Sequence, residues 1–186
     1  MSHDPAVFPE DLPIPVDDGA ADHLVGLSVP AIALPATIGG SVNLGDRGRA
    51  KRLVVFAYPR TGRPGVPLPT AWDTIPGARG CTPEACSFRD LSEQFAALDT
   101  DIFGLSTQDP DYQLEAATRL HLRYALLSDA ELRLTAALRL PTLSVDGMTL
   151  LRRLTLIIDD GRVEHVIYPV FPPDGAATDV LAVLLR

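Results

Sequence analysis

Two cysteines and their neighbours are the part of this 186-residue chain best suited to chemistry. They stand five apart in the stretch Gly80-Cys81-Thr82-Pro83-Glu84-Ala85-Cys86-Ser87-Phe88-Arg89-Asp90. Thr82, Pro83 and Glu84 spell a helix start: a hydroxyl cap, proline at the first helical position and a carboxylate in the first turn. That puts Cys81 at a helix N-terminus, where unpaired backbone N–H groups and the helix dipole favour an anion. A thiol pKa falls in such a place, and the nucleophilic thiolate is held. The competing reading is an inert buried cysteine, a small apolar side chain. Cys86 weighs against that reading, because it lies roughly 160° from the centre of the helix's apolar stripe and lacks the usual reason for burial. A second thiol near a reactive one can act as resolving partner, condensing with an oxidised first sulfur. Zinc fits poorly: a site needs about four ligands, and Cys81, Cys86, His3, His23, His121 and His165 show no tight ligand spacing. A Cys-x-x-Cys pair is absent, and no histidine has a motif that would make the pair a Cys-His hydrolase.

The elements that must hold this stretch follow from hydrophobic periodicity. Leu53 to Tyr58 is a continuous apolar run ending at Pro59, the pattern of a buried strand. Ile102 to Ser106 reads as another strand. Leu154 to Ile158 and Val163 to Tyr168 flank Asp159-Asp160-Gly161, which predicts an antiparallel hairpin. Helices are predicted at about 83–98, 110–121, 129–138 and 175–185. In the first, Ala85, Phe88, Leu91, Phe95 and Leu98 recur every three or four residues as one apolar stripe. Strands alternating with helices and closed by a hairpin give an α/β fold with a mixed central β-sheet flanked by helices.

Composition bounds the function. The net charge is −8, which argues against nucleic acid as a partner, since phosphate binding needs a clustered basic face. Residues 1–22 hold six acidic residues (Asp4, Glu10, Asp11, Asp17, Asp18, Asp22), four prolines and no Lys or Arg. They read as an acidic, Pro-rich N-terminal arm, extended or disordered, ahead of one domain over 23–186. No apolar run approaches the ~20 residues needed to span a bilayer. Met1-Ser2-His3-Asp4-Pro5 has neither a basic region nor an apolar core, so no secretory signal is expected, and the cytoplasm is the expected compartment.

The Gly80–Asp90 segment resembles the active-site segment of the peroxiredoxins, in their bacterioferritin-comigratory or PrxQ-like branch, which reads Gly-Cys-Thr-x-Glu-x-Cys-x-Phe-Arg-Asp. The resemblance runs over about residues 23–186. Gly26, Pro30 and Leu34 resemble the family's opening Gly-x-x-x-Pro-x-x-x-Leu, Tyr58-Pro59 ends the strand before the active site, and Gly104-Leu105-Ser106-Thr107 resembles the next strand. Leu126-Leu127-Ser128-Asp129 and Arg153 to Gly161 resemble the Leu-Leu-Ser-Asp turn and the Arg-x-Thr-x-x-Ile-Asp hairpin. What the resemblance implies is a thioredoxin-like fold and thiol-dependent reduction of hydrogen peroxide or small organic hydroperoxides. By the same resemblance Cys81 is the peroxidatic nucleophile and Cys86 the resolving thiol of an intramolecular disulfide. Arg153 stabilises the thiolate, and Glu84 orients that arginine. It further implies a thioredoxin-like dithiol reductant, a monomer, and no metal or prosthetic group. The alternative is a redox-sensing or scaffold protein with this fold and little turnover.

One departure bears on the pocket. The family has proline seven residues before the nucleophile and Thr or Ser three before it, whose hydroxyl helps bind peroxide; here those positions hold Thr74 and Ala78. Residues 60–80, rich in Pro and Gly and containing the sole tryptophan, Trp72, form a loop of a length that is usually functional. It is expected to lie over the pocket, with Thr74, Thr70 or Thr61 as candidates for the missing hydroxyl.

Overall fold

The computed structural model describes residues 12–46 and 51–186; residues 1–11 of the acidic arm lie outside them. In chain order come a hairpin of β1 (Ala33–Pro35) and β2 (Ser41–Asn43), then β3 (Arg52–Ala57), α1 (Cys81–Asp90), α2 (Ser92–Ala97), β4 (Thr100–Ser106), α3 (Pro110–Arg119), β5 (Ala125–Ser128) and α4 (Arg133–Leu138). A second hairpin, β6 (Thr142–Val145) and β7 (Met148–Leu151), precedes β8 (Leu154–Asp159), β9 (Arg162–Ile167) and α5 (Ala176–Leu184).

The central sheet has the order β5-β4-β3-β8-β9. β3, β4 and β5 are parallel, joined by helical crossovers as parallel neighbours require, while β8 runs antiparallel to β3 and β9 antiparallel to β8. This is the expected mixed sheet. β3 explains why its run is apolar throughout. Leu53, Val55 and Ala57 face one core layer, with Leu34 and α4's Leu134 and Leu138; Val54, Phe56 and the following Tyr58 face the other, under α1, α2, α3 and α5. The second layer locks α1 in place: the rings of Phe56 and Phe88 stack 4.5 Å apart. Below them Gly104 has no room for a Cβ, which would come within 2.8 Å of the Phe56 ring. At the β8–β9 turn Asp160 and Gly161 take φ of 43° and 69°, the pair of positive values a tight two-residue hairpin asks for.

Three helix boundaries differ from the periodicity. The predicted 83–98 helix is broken at Leu91 into α1 and α2, and α1 begins at Cys81, two residues early. Its N-cap is Gly80 at φ 99°, with no capping hydroxyl. Thr82 is therefore not the cap; the glycine turns the chain in, and Pro83 is tolerated because first-turn N–H groups have no intrahelical partner. The 129–138 helix shrinks to α4, because the Asp129 carboxylate reaches past its own turn to accept from the N–H groups of Leu134 (3.1 Å) and Thr135 (2.7 Å).

The 60–80 loop has a small core of its own. Trp72 and Ala78 pack with Val145 and Leu150 of the β6–β7 hairpin, and Thr70 N–H donates to the hairpin's Asp146 at 2.9 Å. The described part of the acidic arm rests on the domain: Asp18 accepts from Tyr168 OH (2.9 Å) and pairs with Arg152 (3.2 Å). Among the described residues no helix is long and apolar enough to cross a membrane.

Candidate active site

Strand register brings the site together. β3 and β8 are antiparallel with Ala57 opposite Leu154, so the chain leaving β3 toward Cys81 and the residue before β8, Arg153, meet at the same end of the sheet. That end carries the carboxyl termini of the parallel strands, where open α/β sheets place their ligands. Arg153 is buried there, and its guanidinium touches both other members of the predicted cluster. One nitrogen donates to Glu84 Oε2 in a buried ion pair. The other lies 3.2 Å from Cys81 Sγ, and carbonyl oxygens of the loop's last turn, Gly77 (3.2 Å) and Arg79 (3.0 Å), surround it. Gly77 and Gly80 both hold positive φ, at 75° and 99°, which lets this turn present its carbonyls inward.

Cys81 is 4% exposed and Glu84 fully buried. Burial pushes the Cys81 thiol up, against the pull of the Arg153 guanidinium; Glu84 also pushes it up, while the Arg60 backbone N–H pulls it down. This corrects the expectation of a lowered thiol pKa, which counted the helix end and the arginine but not the depth of the pocket. Burial likewise lifts the Glu84 carboxyl to about 7, opposed by Arg153. The thiol sits 3.6 Å from the Ala78 carbonyl, an acceptor for its proton. One guanidinium thus serves two groups that are each anionic when deprotonated, in a pocket that holds one negative charge far better than two.

Cys86, one and a half turns along α1, is half-buried at the edge of the second core layer, and both cysteines are free thiols. Burial pushes its thiol up, against Arg89. Five residues of regular helix separate the two Cα atoms by roughly 8.7 Å, beyond the ~4.4–6.8 Å a disulfide spans. Two contacts pin α1 between them and its end: Tyr124 OH donates to the Ala85 carbonyl (2.7 Å), and Arg89 donates to the Leu120 carbonyl (2.7 Å).

The candidate hydroxyls are not brought to the sulfur. Thr74 is exposed and its Oγ1 donates to the Ala71 carbonyl at 2.8 Å. Thr61 is buried, but its hydroxyl and N–H both donate to Gln108 Oε1. Thr70 is exposed, and it is its backbone N–H that binds the hairpin turn at Asp146. Instead a pocket of about 20 Å³ beside Cys81 is lined by Arg60, Leu68, Trp72, Ala78, Arg79 and Thr82 among others. Arg60 and Arg79 as pocket walls were missed, while Trp72 was carried only as a member of the loop expected over the pocket. The available signal was position: Arg60 directly follows Tyr58-Pro59, and Trp72 is an unpaired large apolar residue in a polar loop.

Comparisons with known proteins bear on the fold. A family model described as Redoxin matches residues 24–184. The chain is 30% identical over 141 residues to peroxiredoxin Bcp of Escherichia coli, covering 74% of this chain and 80% of that one. It is 33% identical over 129 residues to peroxiredoxin bcp1 of Schizosaccharomyces pombe, a match that takes in 66% of this chain and spans 58% of that longer relative. Peroxidoxin BcpB of Mycobacterium tuberculosis superposes with a TM-score of 0.67 at 30% identity, over 87% of this chain and 96% of that one.

Proposed function

The chain belongs to the Redoxin family, as one of its peroxiredoxins, and on that premise we propose that it is a thiol peroxidase with Cys81 as nucleophile and Cys86 as resolving thiol. The observation that carries the reading is the Arg153 guanidinium shared between Cys81 Sγ and buried Glu84. Burial leaves Cys81 resting as the thiol, and it reacts from the less populated arrangement in which the proton of the pair is on Glu84 and the guanidinium is the thiolate's counter-ion. The thiolate attacks the distal oxygen of a hydroperoxide; an S–O bond forms and the O–O bond breaks. Cys81 is oxidised to the sulfenic acid, and the peroxide is reduced to alkoxide or hydroxide, which leaves as alcohol or water on taking a proton. Arg153 donors, already aimed at the reacting sulfur, stabilise the charge that moves from sulfur to the departing oxygen.

Cys86 then displaces hydroxyl from the Cys81 sulfenic acid, forming a disulfide and releasing water. Because regular helix holds the thiols too far apart, α1 unwinds at its N-terminal end for this step. A dithiol protein of thioredoxin type returns the disulfide to two thiols and is itself oxidised. The reading assigns the cycle to a monomer in the cytoplasm, where such dithiols are kept reduced. A redox sensor with the same first step would oxidise once and stop. Turnover decides between them: with thioredoxin, its reductase, NADPH and hydrogen peroxide, the enzyme consumes many equivalents of NADPH per chain. A single stoichiometric oxidation in that assay is the sensor's result and would remove the enzymatic reading.

A further inference from the structure

Arg60 is a cation without a carboxylate partner among the described residues. Its neighbours are paired: Arg63 Nε is 3.5 Å from Glu115, Arg79 Nε 3.3 Å from Asp73 and Arg119 Nε 2.7 Å from Glu115. Among the described residues Arg60 has no carboxylate within ion-pair distance. Its guanidinium donates at 3.3 Å to the Met148 thioether, a weak acceptor, and lies 4.8 Å over the Tyr112 ring. A half-buried guanidinium left with a thioether and an aromatic face retains most of its capacity for charge-assisted hydrogen bonds.

Its position is what gives that capacity a use. Arg60 lines the small pocket beside Cys81 together with the apolar Leu68 and Trp72. It also lines an open groove of about 490 Å³ bordered by Tyr112, Leu132, Met148 and Leu150. Arg60 and Cys81 line the same small pocket, and the groove opens on the other side of Arg60, so this side chain links the reacting sulfur's pocket to open space. One carboxylate, Asp109, faces the groove, but it accepts from Tyr112 N–H at 2.8 Å as the cap of α3.

Building on the peroxidase reading, we infer that Arg60 is an anion-binding subsite, and that the preferred substrates are organic hydroperoxides bearing a carboxylate at the end remote from the O–O bond. The small pocket admits only the peroxide end, the hydrocarbon lies across its mouth at half-buried Leu68, and the guanidinium receives the carboxylate as a bidentate pair. Hydrogen peroxide uses only the Cys81 end.

Two arms test this. In the first, 4-isopropylbenzoate, which has no peroxide bond, is titrated into reduced protein and followed through the fluorescence of Trp72, the sole tryptophan. The subsite predicts saturable binding, weakened about tenfold in Arg60→Gln and recovered in part in Arg60→Lys. No binding to the wild type, or equal binding to Arg60→Gln, overturns it. In the second, kcat/KM is compared for cumene hydroperoxide, its para-carboxylate and the neutral methyl ester of the latter. The carboxylate is expected to be favoured over both neutral compounds by about tenfold in the wild type and not in Arg60→Gln; a ratio that Arg60 does not change overturns the substrate class. Protein that binds 4-isopropylbenzoate through Arg60 yet reduces no hydroperoxide supports the subsite and overturns the peroxidase reading, so the two failures are told apart.

Discussion

Replacing Glu84 by glutamine isolates the charge balance of the buried cluster. The Glu84 carboxyl ordinarily titrates at 4.5, and burial lifts it to about 7 in the folded chain, against the pull of Arg153. Between those values the native state holds a proton that the unfolded chain has released. The stabilisation from this group is therefore complete below pH 4.5 and is lost as pH rises through about 7. Over that interval the loss amounts to about 3 kcal/mol. Asp18, lowered by its hydrogen bond from Tyr168, and Glu115, lowered by its hydrogen bond from Arg119, act in the opposite direction; both are present in wild type and Glu84→Gln and cancel in the difference. Urea midpoints of the two reduced proteins, measured from pH 4 to pH 8 at constant ionic strength, give that difference directly. The wild type should lose stability relative to Glu84→Gln as pH climbs from 4.5 to 7 and run parallel to it below. Curves that stay parallel throughout would refute the shared-proton account, because Glu84 would then be ionised in the resting site like any paired carboxylate.

The same cluster sets the titration of Cys81, read from alkylation rate against pH in a Cys86→Ser background. Arg153→Met should move the midpoint up by about one pH unit or more and Glu84→Gln should move it down; a midpoint indifferent to both would detach the thiol from the cluster. Tyr124→Phe removes the tether on the Ala85 carbonyl, worth about 1 kcal/mol, and should speed Cys81–Cys86 disulfide formation and amide exchange over residues 84–89 by about fivefold. Unchanged rates would show that α1 does not open at that point. Phe88→Ala deletes one ring of the stack that fixes α1 on β3 and should cost about 3–5 kcal/mol in urea unfolding; a loss under 1 kcal/mol would mean the stack does not hold the helix.

Much of this arrangement was legible in the chain, for reasons that particular residues make plain. The central strands announce themselves because they are buried on both faces, as Leu53 to Tyr58 is, and the Asp160-Gly161 turn has its own backbone chemistry. Cys81, Glu84 and Arg153 were nominated by the family's motif, and antiparallel pairing of β3 with β8 is what turns a sequence separation of about seventy residues into a contact. The β1–β2 and β6–β7 hairpins escaped notice, since each strand has only three or four residues and too little periodicity to register. The helix break at Leu91 escaped because the apolar stripe runs on through it. Depth was the main illegible quantity: nothing in the order of residues says that Cys81 and Glu84 are sealed from water, and that sealing reverses the direction of the thiol's shift. The candidate hydroxyls failed for a related reason. A threonine can be counted in a sequence, but its donor is committed by tertiary partners, as Thr61 is to Gln108.

The central claim is that Cys81 is the atom that meets peroxide. Reduced wild type, Cys81→Ser and Cys86→Ser proteins are each given one equivalent of hydrogen peroxide in the presence of dimedone, and the adducts are located by mass spectrometry. The account predicts a dimedone adduct on Cys81 in Cys86→Ser, a Cys81–Cys86 disulfide with little adduct in the wild type, and neither product in Cys81→Ser. An adduct on Cys86 in Cys81→Ser, formed as fast as the wild type consumes peroxide, would contradict it.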